Sequence, residues 1–322
     1  MQIRRFAHGH EQEWDSFCAE AHQATFLHTR RFLSYHGDRF RDCSLMLVDA
    51  DGRTAGLFPA AIHPQDERCI VSHPGITYGG LIHRGGLRGE AMVEALDGIA
   101  RYYAGEGAER LVYKPVPSVY HRVPAQDDLY ALFRLGAARV RCDLSSAIDI
   151  ERRLPVSKRR RRSFAKAQKA GVQVVEGLAY ISPLWDVLEE NLARKHGAQP
   201  VHTLDEIRLL AERFPDDIRC VCAQLDGQVV AGVLLFDTHT TRHAQYIASS
   251  ARGYDVSALD AVFEACIGGA ADAGKRWFSF GISTEEGGLV LNAGLYGFKS
   301  EFGGGGVAHD FYEFDLRTVS VG

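Results

Sequence analysis

Several absences narrow the class of this chain before anything present is read. No apolar run approaches the roughly eighteen residues that a membrane-spanning helix needs, so no membrane span is predicted. The opening MQIRRFAHGHEQEW turns polar at once and lacks the apolar stretch of a secretory leader, which predicts a cytoplasmic protein. Seven cysteines are scattered and odd in number, without a CxxC pair. That spacing argues against a disulfide framework and for a reducing compartment. The signatures HExxH, Walker A and GxSxG are also missing, which removes the usual zinc-protease, P-loop and α/β-hydrolase readings. No metal and no tightly held cofactor are expected.

What is present is ordinary in bulk and uneven in detail. The 322 residues are 46% hydrophobic and 24% charged, the composition of a folded globular chain. A chain this long rarely keeps a single core, so two domains are expected. The net charge is −4, which makes the whole molecule no general polyanion binder. Cations are nevertheless concentrated at Lys158, Arg159, Arg160, Arg161 and Arg162, with Lys166 and Lys169 following. Such a block attracts phosphates locally.

The two halves repeat one another. LMLVDADGRTAGLFPAA (residues 45–61) and RCVCAQLDGQVVAGVLLF (residues 219–236) both read as strand, Asp-Gly turn, strand, each with an Ala-Gly pair in the second strand. Downstream of each hairpin a long helical pattern stops at a glycine, Gly107 or Gly274, and an apolar strand follows. A short helix then ends in Leu135-Gly136 or Phe302-Gly303, and a last strand is predicted near residues 138–148 and 307–315. Hairpins mixed with a βαβ crossover predict an α/β fold with a mixed sheet, present twice, over residues 1–148 and 149–322. This is the element order of the GNAT acyltransferase fold.

Two motifs support a closer resemblance. Arg161 to Val172 reads R-R-S-F-A-K-A-Q-K-A-G-V, and Gly294 to Gly304 reads G-L-Y-G-F-K-S-E-F-G-G. Both resemble the signatures of the Fem-type (FemABX-like) branch of the GNAT superfamily, R-x-x-(I/F)-x-K-A-x-x-x-G-V and G-L-x-x-F-K-x-x-F-G-G. The resemblance implies tandem GNAT domains that move an amino acid from aminoacyl-tRNA to an amine, with tRNA as partner. The long helical arm that some Fem-type enzymes insert has no room here, and the stretches around Tyr113 to His121 and Lys195 to His202 depart from the family. The transfer chemistry is therefore expected, and a cell-wall acceptor is not.

Acyl transfer to an amine needs a cradle for the donor's phosphates, a donor to the developing oxyanion and a path for the proton. Lys299, between Phe298 and Phe302, is the candidate for oxyanion or phosphate contact; the Fem-type motif lifts it above an ordinary surface lysine. Arg161 and Arg162 are the candidates for phosphate on a helix that Ser157 can cap. Arg252 and Gly253 stand where CoA-binding GNATs carry R/Q-x-x-G-x-G/A, but the later glycine is missing and Asp255 adds negative charge. The first-half counterpart is Arg84-Gly85-Gly86-Leu87-Arg88-Gly89. For proton removal the candidates are His196, His202, Glu206, Glu285 and Glu301, and Tyr246 is a candidate hydrogen-bond donor. The resulting expectation is an N-acyltransferase acting on a small or nucleotide-linked amine, with aminoacyl-tRNA slightly favoured as donor. An acyl-CoA-dependent N-acetyl- or acyltransferase is the first alternative, and a non-catalytic phosphate- or RNA-binding double-GNAT module the second. Leu132 stands in the first half where Lys299 stands in the second, which places the chemistry in the second half.

Overall fold

A computed structural model describes residues 1–196 and 200–320, without the side chains of residues 194–196. The chain forms two compact units. One comprises Met1–Asp143, Glu286–Val290 and Ala308–Gly322, the other Leu144–Glu285 and Leu291–Val307.

In the first unit the expected hairpin is present as Leu45–Val48 and Thr54–Phe58, paired antiparallel. It belongs to a four-stranded sheet with Gln2–Arg5 and Ile82–His83. A second set of strands runs in the order Ala61–His63, Asp66–Val71, Arg110–Tyr113 and the end of Gly305–Asp315. The helix Glu90–Gly105 buries Met92, Leu96, Ile99 and Tyr103, a stripe at helical spacing, in a core with Leu45, Leu47, Phe58 and Leu111.

The second unit follows the expected order closely. Ile218–Leu225 and Gln228–Asp237 form a hairpin whose turn residues Asp226 and Gly227 have φ of 50° and 76°, the left-handed pair that a two-residue hairpin turn requires. Strand order is the end of Ala138–Asp149, then Trp277–Ile282, Thr241–Ser249, Gln228–Asp237, Ile218–Leu225 and Gln173–Glu176. The run VVAGVLL is apolar without alternation because helices cover both of its faces. Ile181–His196 packs on one face, burying Leu184, Trp185 and Leu188. Ala258–Asp272 packs on the other and buries Val262, Phe263 and Ile267. Both long helices end alike: Gly107 and Gly274 take φ of 87° and 67°, and Ala108 and Lys275 donate back to Tyr103 and Ala270.

The division at residue 148 is corrected by the pairing of the two closing strands. Leu144 to Asp149, from the end of the first half, pairs with Trp277–Ile282 in the second unit. Tyr312 to Asp315, from the end of the chain, pairs with Arg110–Tyr113 in the first. Each half of the sequence thus supplies the other's last strand. Both strands are alternating and similar in length, so nothing local in them specifies the partner.

Candidate active site

The second unit has a fork in its sheet. Thr241–Ser249 and Trp277–Ile282 run parallel and pair at Thr241–Trp277, Arg242–Phe278 and His243–Ser279. The pairing stops there, although the strands continue to Ser249 and Ile282. Each strand carries an irregularity just past that point. Against the hairpin, Leu234 faces Tyr246 while Leu235 faces Ala244, so Gln245 is an extra residue. On the other side Ser279 faces Ala147 while Ile282 faces Ser145, and Gly281 between them has φ of 74°. Bulges raise local twist and end pairing, so the strands part and leave backbone groups of both without a ladder partner across the gap. A backbone N–H left without a ladder partner at such a gap is suited to hold a carbonyl oxygen as it gains charge.

Lys299 is 3% exposed and lies in the helix Ala293–Ser300. Its ammonium donates to the carbonyls of Gly281 at 3.1 Å and Ile282 at 2.5 Å. Burial brings its pKa down to about 8. It therefore ties its helix to the free end of one fork strand, with two of its three N–H groups committed to the backbone.

Tyr246 follows the bulge on the opposite strand. Its hydroxyl accepts from the His202 backbone N–H at 3.2 Å and lies 2.5 Å from His202 Nδ1, with Trp185 edge-on to the ring. Burial raises the phenol to about 12. Tyr246 and His202 are thus one hydrogen-bonded pair, and the phenol is a proton donor rather than a base at neutral pH. At the fork itself, His243 Nδ1 lies 3.2 Å from Ser279 Oγ. Sequence reasoning did not find this pair, because its only signal is a register between strands far apart in sequence.

The basic helix Lys158–Lys169 is capped by Ser157, whose hydroxyl accepts from the Arg160 N–H. One cation of the block is buried. Arg160 Nη1 donates to both Asp260 oxygens at 3.0 and 3.1 Å, its Nε to Glu301 at 3.0 Å, and its guanidinium lies over the rings of Phe298 and Phe302. Burial outweighs that pairing and raises Asp260 to about 6. Glu301, a candidate base, is consequently engaged in holding Arg160. Lys158, Arg161, Arg162, Lys166 and Lys169 are exposed, and none forms an ion pair among the described residues.

The loop before Ala258–Asp272 is not an open phosphate cradle. Ser250 caps the short turn Ala251–Asp255, and its hydroxyl takes the Gly253 N–H at 3.1 Å. A Cβ on Gly253 would lie 2.3 Å from the Val230 carbonyl, so glycine is required there by close packing against the hairpin. Arg252 pairs with Asp226 at the hairpin turn. In the first-half counterpart Gly89 donates to Asp127 and Arg84 pairs with Glu20. Of the other acid–base candidates, Glu206 closes a capping box with Thr203, and Glu285 accepts from Asn292. The His196 side chain lies outside the described residues.

With this geometry in place, comparison identifies the class. The family model for the acetyltransferase (GNAT) domain matches residues 152–299, the span that holds the basic helix, the fork and Lys299. Residues 152–299 of the second unit therefore match a GNAT acetyltransferase domain. In layout the whole chain is Fem-like, with tandem GNAT folds: it is similar to FemX, at a TM-score of 0.69 with 13% identity over 97% of both chains. It is also similar to L-PGS from Bacillus licheniformis (TM-score 0.60, 12% identity, 87% and 86% covered). A tandem GNAT protein from the clavulanic acid biosynthesis pathway matches at a TM-score of 0.53, with 13% identity over 98% of both chains. Such identities speak for the fold. No curated protein matches the chain in sequence. Among the described residues no helix is long and apolar enough to cross a membrane.

Proposed function

We propose that the chain moves an aminoacyl group from aminoacyl-tRNA to the amine of a small or nucleotide-linked acceptor. The observation that carries this reading is the division of labour among its cations. Arg160 is buried in the fold and the exposed Arg159 lies 3.9 Å from Glu301, while the other five cations of the helix have no acidic partner among the described residues. A helix that keeps like charges close without neutralising them is suited to a polyanion such as a tRNA acceptor end. The loop that would hold a CoA pyrophosphate has its glycine N–H already taken and its arginine paired. The fold likeness to FemX and the two Fem-type motifs support the same donor.

In this reading the acceptor amine attacks the ester carbonyl in the fork. A C–N bond forms, the bond from carbonyl carbon to ribose oxygen breaks, and the amine proton leaves with the ribose oxygen. Backbone N–H groups of the parted strands stabilise the oxyanion. Lys299 fixes one strand end by its two carbonyl contacts, and the Tyr246 phenol relays the proton, giving its own to the ribose oxygen and taking the amine's in its place. Amine and ester are held together, which is where most of the rate enhancement arises.

The test is direct. Fluorescently labelled aminoacyl-tRNA is titrated at several salt concentrations, and transfer of its labelled amino acid to a panel of amines is followed. The expected result is salt-sensitive binding whose log–log slope falls by about one for each of Arg161→Ala and Arg162→Ala. Thermal stabilisation by acetyl-CoA with no tRNA binding would instead assign acyl-CoA as donor. Binding of either donor without transfer to any amine would leave a binding module.

A further inference from the structure

His202 and Tyr246 meet in a geometry fixed from both sides. Thr203 and Glu206 close a capping box at the start of the helix Leu204–Arg213, which pins the backbone next to His202. Opposite, the buried Trp185 stands edge-on to the Tyr246 ring with centroids 5.0 Å apart. His202 is buried as well. All of these residues belong to the second unit.

A phenol oxygen offers one hydrogen and two lone pairs. The His202 backbone N–H donates into one lone pair at 3.2 Å, and its direction is set by the chain. Nδ1 of the same residue lies 2.5 Å from the oxygen. Two arrangements satisfy that contact: the phenol donates to a bare Nδ1, or a protonated Nδ1 donates to the second lone pair. Two observations favour the first. A ring nitrogen of imidazole is a stronger base than a phenol oxygen, so the proton between them is better placed as O–H donating to N. The separation also suits an O–H donor, since N–H donors keep to about 2.7 Å or more from oxygen. With one lone pair filled and the hydrogen directed at Nδ1, these contacts leave the phenol a single lone pair. The resting phenol therefore presents an acceptor.

We propose that His202 is the positioning residue for proton transfer, holding Tyr246 ready to accept the amine's proton and taking up the phenol's own proton at Nδ1. This rests on the transfer reading above and deepens it by assigning the base. As the C–N bond forms, an amine proton passes to the phenol oxygen while the phenol's proton passes to Nδ1, leaving an imidazolium. As the bond to the ribose oxygen breaks, Nδ1 returns a proton to the phenol and the phenol gives one to that oxygen. Protons and charge balance over the cycle, and no free phenolate is formed. That matters because burial raises the phenol to about 12, which makes its ionised form costly.

Nitrogen NMR of the full chain with labelled histidine tests the resting arrangement. The His202 signals are those lost in His202→Asn. The expected spectrum shows Nδ1 without a proton and Nε2 with one, and Tyr246→Phe should move the Nδ1 resonance towards that of an unbonded ring nitrogen. A proton on Nδ1, or a resonance that Tyr246→Phe leaves in place, overturns the proposal. Kinetics test the proton uptake. The side-chain oxygen of His202→Asn stands near the place of Nδ1 and accepts the phenol's hydrogen, but it does not take the proton. Urea midpoint and KM should stay close to those of the parent chain while kcat falls about a hundredfold. A kcat that His202→Asn leaves unchanged overturns the assignment. If acetyl-CoA supports transfer and aminoacyl-tRNA does not, the donor reading fails alone and the same variant is scored with acetyl-CoA. If neither donor supports transfer, the two fail together.

Discussion

Both units hold a buried lysine at the end of a central strand, and they use it differently. In the first, Lys114 follows Arg110–Tyr113 and its ammonium donates to the carbonyls of His73, at 2.9 Å, and Ile76. Its backbone joins the same arrangement: the Lys114 N–H donates to Ser72 Oγ, and its carbonyl accepts from Gly79. Residues 72–79 are thereby folded onto the strand end, so tightly that a Cβ on Gly79 would lie 2.0 Å from the Ser72 carbonyl. The parallel pairing that starts at Cys69–Arg110 is carried to the end of the strand by this loop. In the second unit Lys299 reaches in from a separate helix and holds the end of a strand that has left its neighbour. One repeat has closed its fork with its own chain, and the other keeps it open. The same fold therefore ends its central strands in two ways, and only the second unit leaves the gap that the proposed transfer requires.

The largest test of that contrast is Arg160→Met. It strips both Asp260 and Glu301 of their buried partner, and breaking a buried pair from one side costs about 3–5 kcal/mol. Hydrogen exchange should show protection lost in Ala258–Asp272 and retained in Glu90–Gly105. Equal loss in both helices would mean that the units do not carry separate stabilities.

The lysines give the next effect, through pH. Burial lowers Lys114 to about 7 and Lys299 to about 8, below the ordinary 10.5. Between the folded and ordinary values the unfolded chain binds more protons, so stability rises with pH, by at most about 1.4 kcal/mol per unit for each lysine. The window opens near pH 7 for the first unit and near pH 8 for the second, and both close towards 10.5. Denaturant midpoints measured from pH 7 to 10 should lose the rise between pH 7 and 8 and about half of it above pH 8 in Lys114→Met, and only about half of the rise above pH 8 in Lys299→Met. A slope unchanged in both variants would show that neither amine is held in the low-dielectric setting described here.

What the sequence makes legible follows from how local each feature is. The two hairpins are readable because Asp-Gly encodes its own turn, and the basic helix because Ser157 and the cation run lie side by side. The role of Arg160 is not readable: with cations at five successive positions no periodicity separates the buried one from Arg161 and Arg162. The bulge at Gln245 and the His243–Ser279 pair exist only in the register between strands, which no single segment specifies. The exchange of closing strands is hidden for the same reason. Lys299 was legible as a motif residue, but its contacts with Gly281 and Ile282 depend on a strand end that only the fold brings near.

A smaller effect distinguishes the loops. Gly253→Ala forces a methyl group towards the Val230 carbonyl, and overpacking of this kind costs about 1–3 kcal/mol. Gly89, at the matching place in the first unit, has open space around a Cβ and φ of 52°, so alanine there meets only backbone strain. Urea midpoints of the two variants should show the larger loss for Gly253→Ala. The reverse order would mean that the second-unit loop is slack enough to rearrange around a ligand.

The smallest expected change is at Arg252. Its partner Asp226 lies on the hairpin turn, and their side chains are 47% and 76% exposed. An exposed pair of this kind contributes about 0–1 kcal/mol, so Arg252→Ala should leave the urea midpoint nearly unmoved. The informative measurement is ligand binding. If the pair is only a surface contact and the donor is aminoacyl-tRNA, Arg252→Ala and Asp226→Asn should both leave donor affinity close to that of the parent chain. If the loop serves a CoA pyrophosphate, Asp226→Asn frees the guanidinium and should tighten acetyl-CoA, while Arg252→Ala should weaken it. Opposite signs from two exposed substitutions with little effect on stability would have one physical source, an anion competing with Asp226 for the same guanidinium.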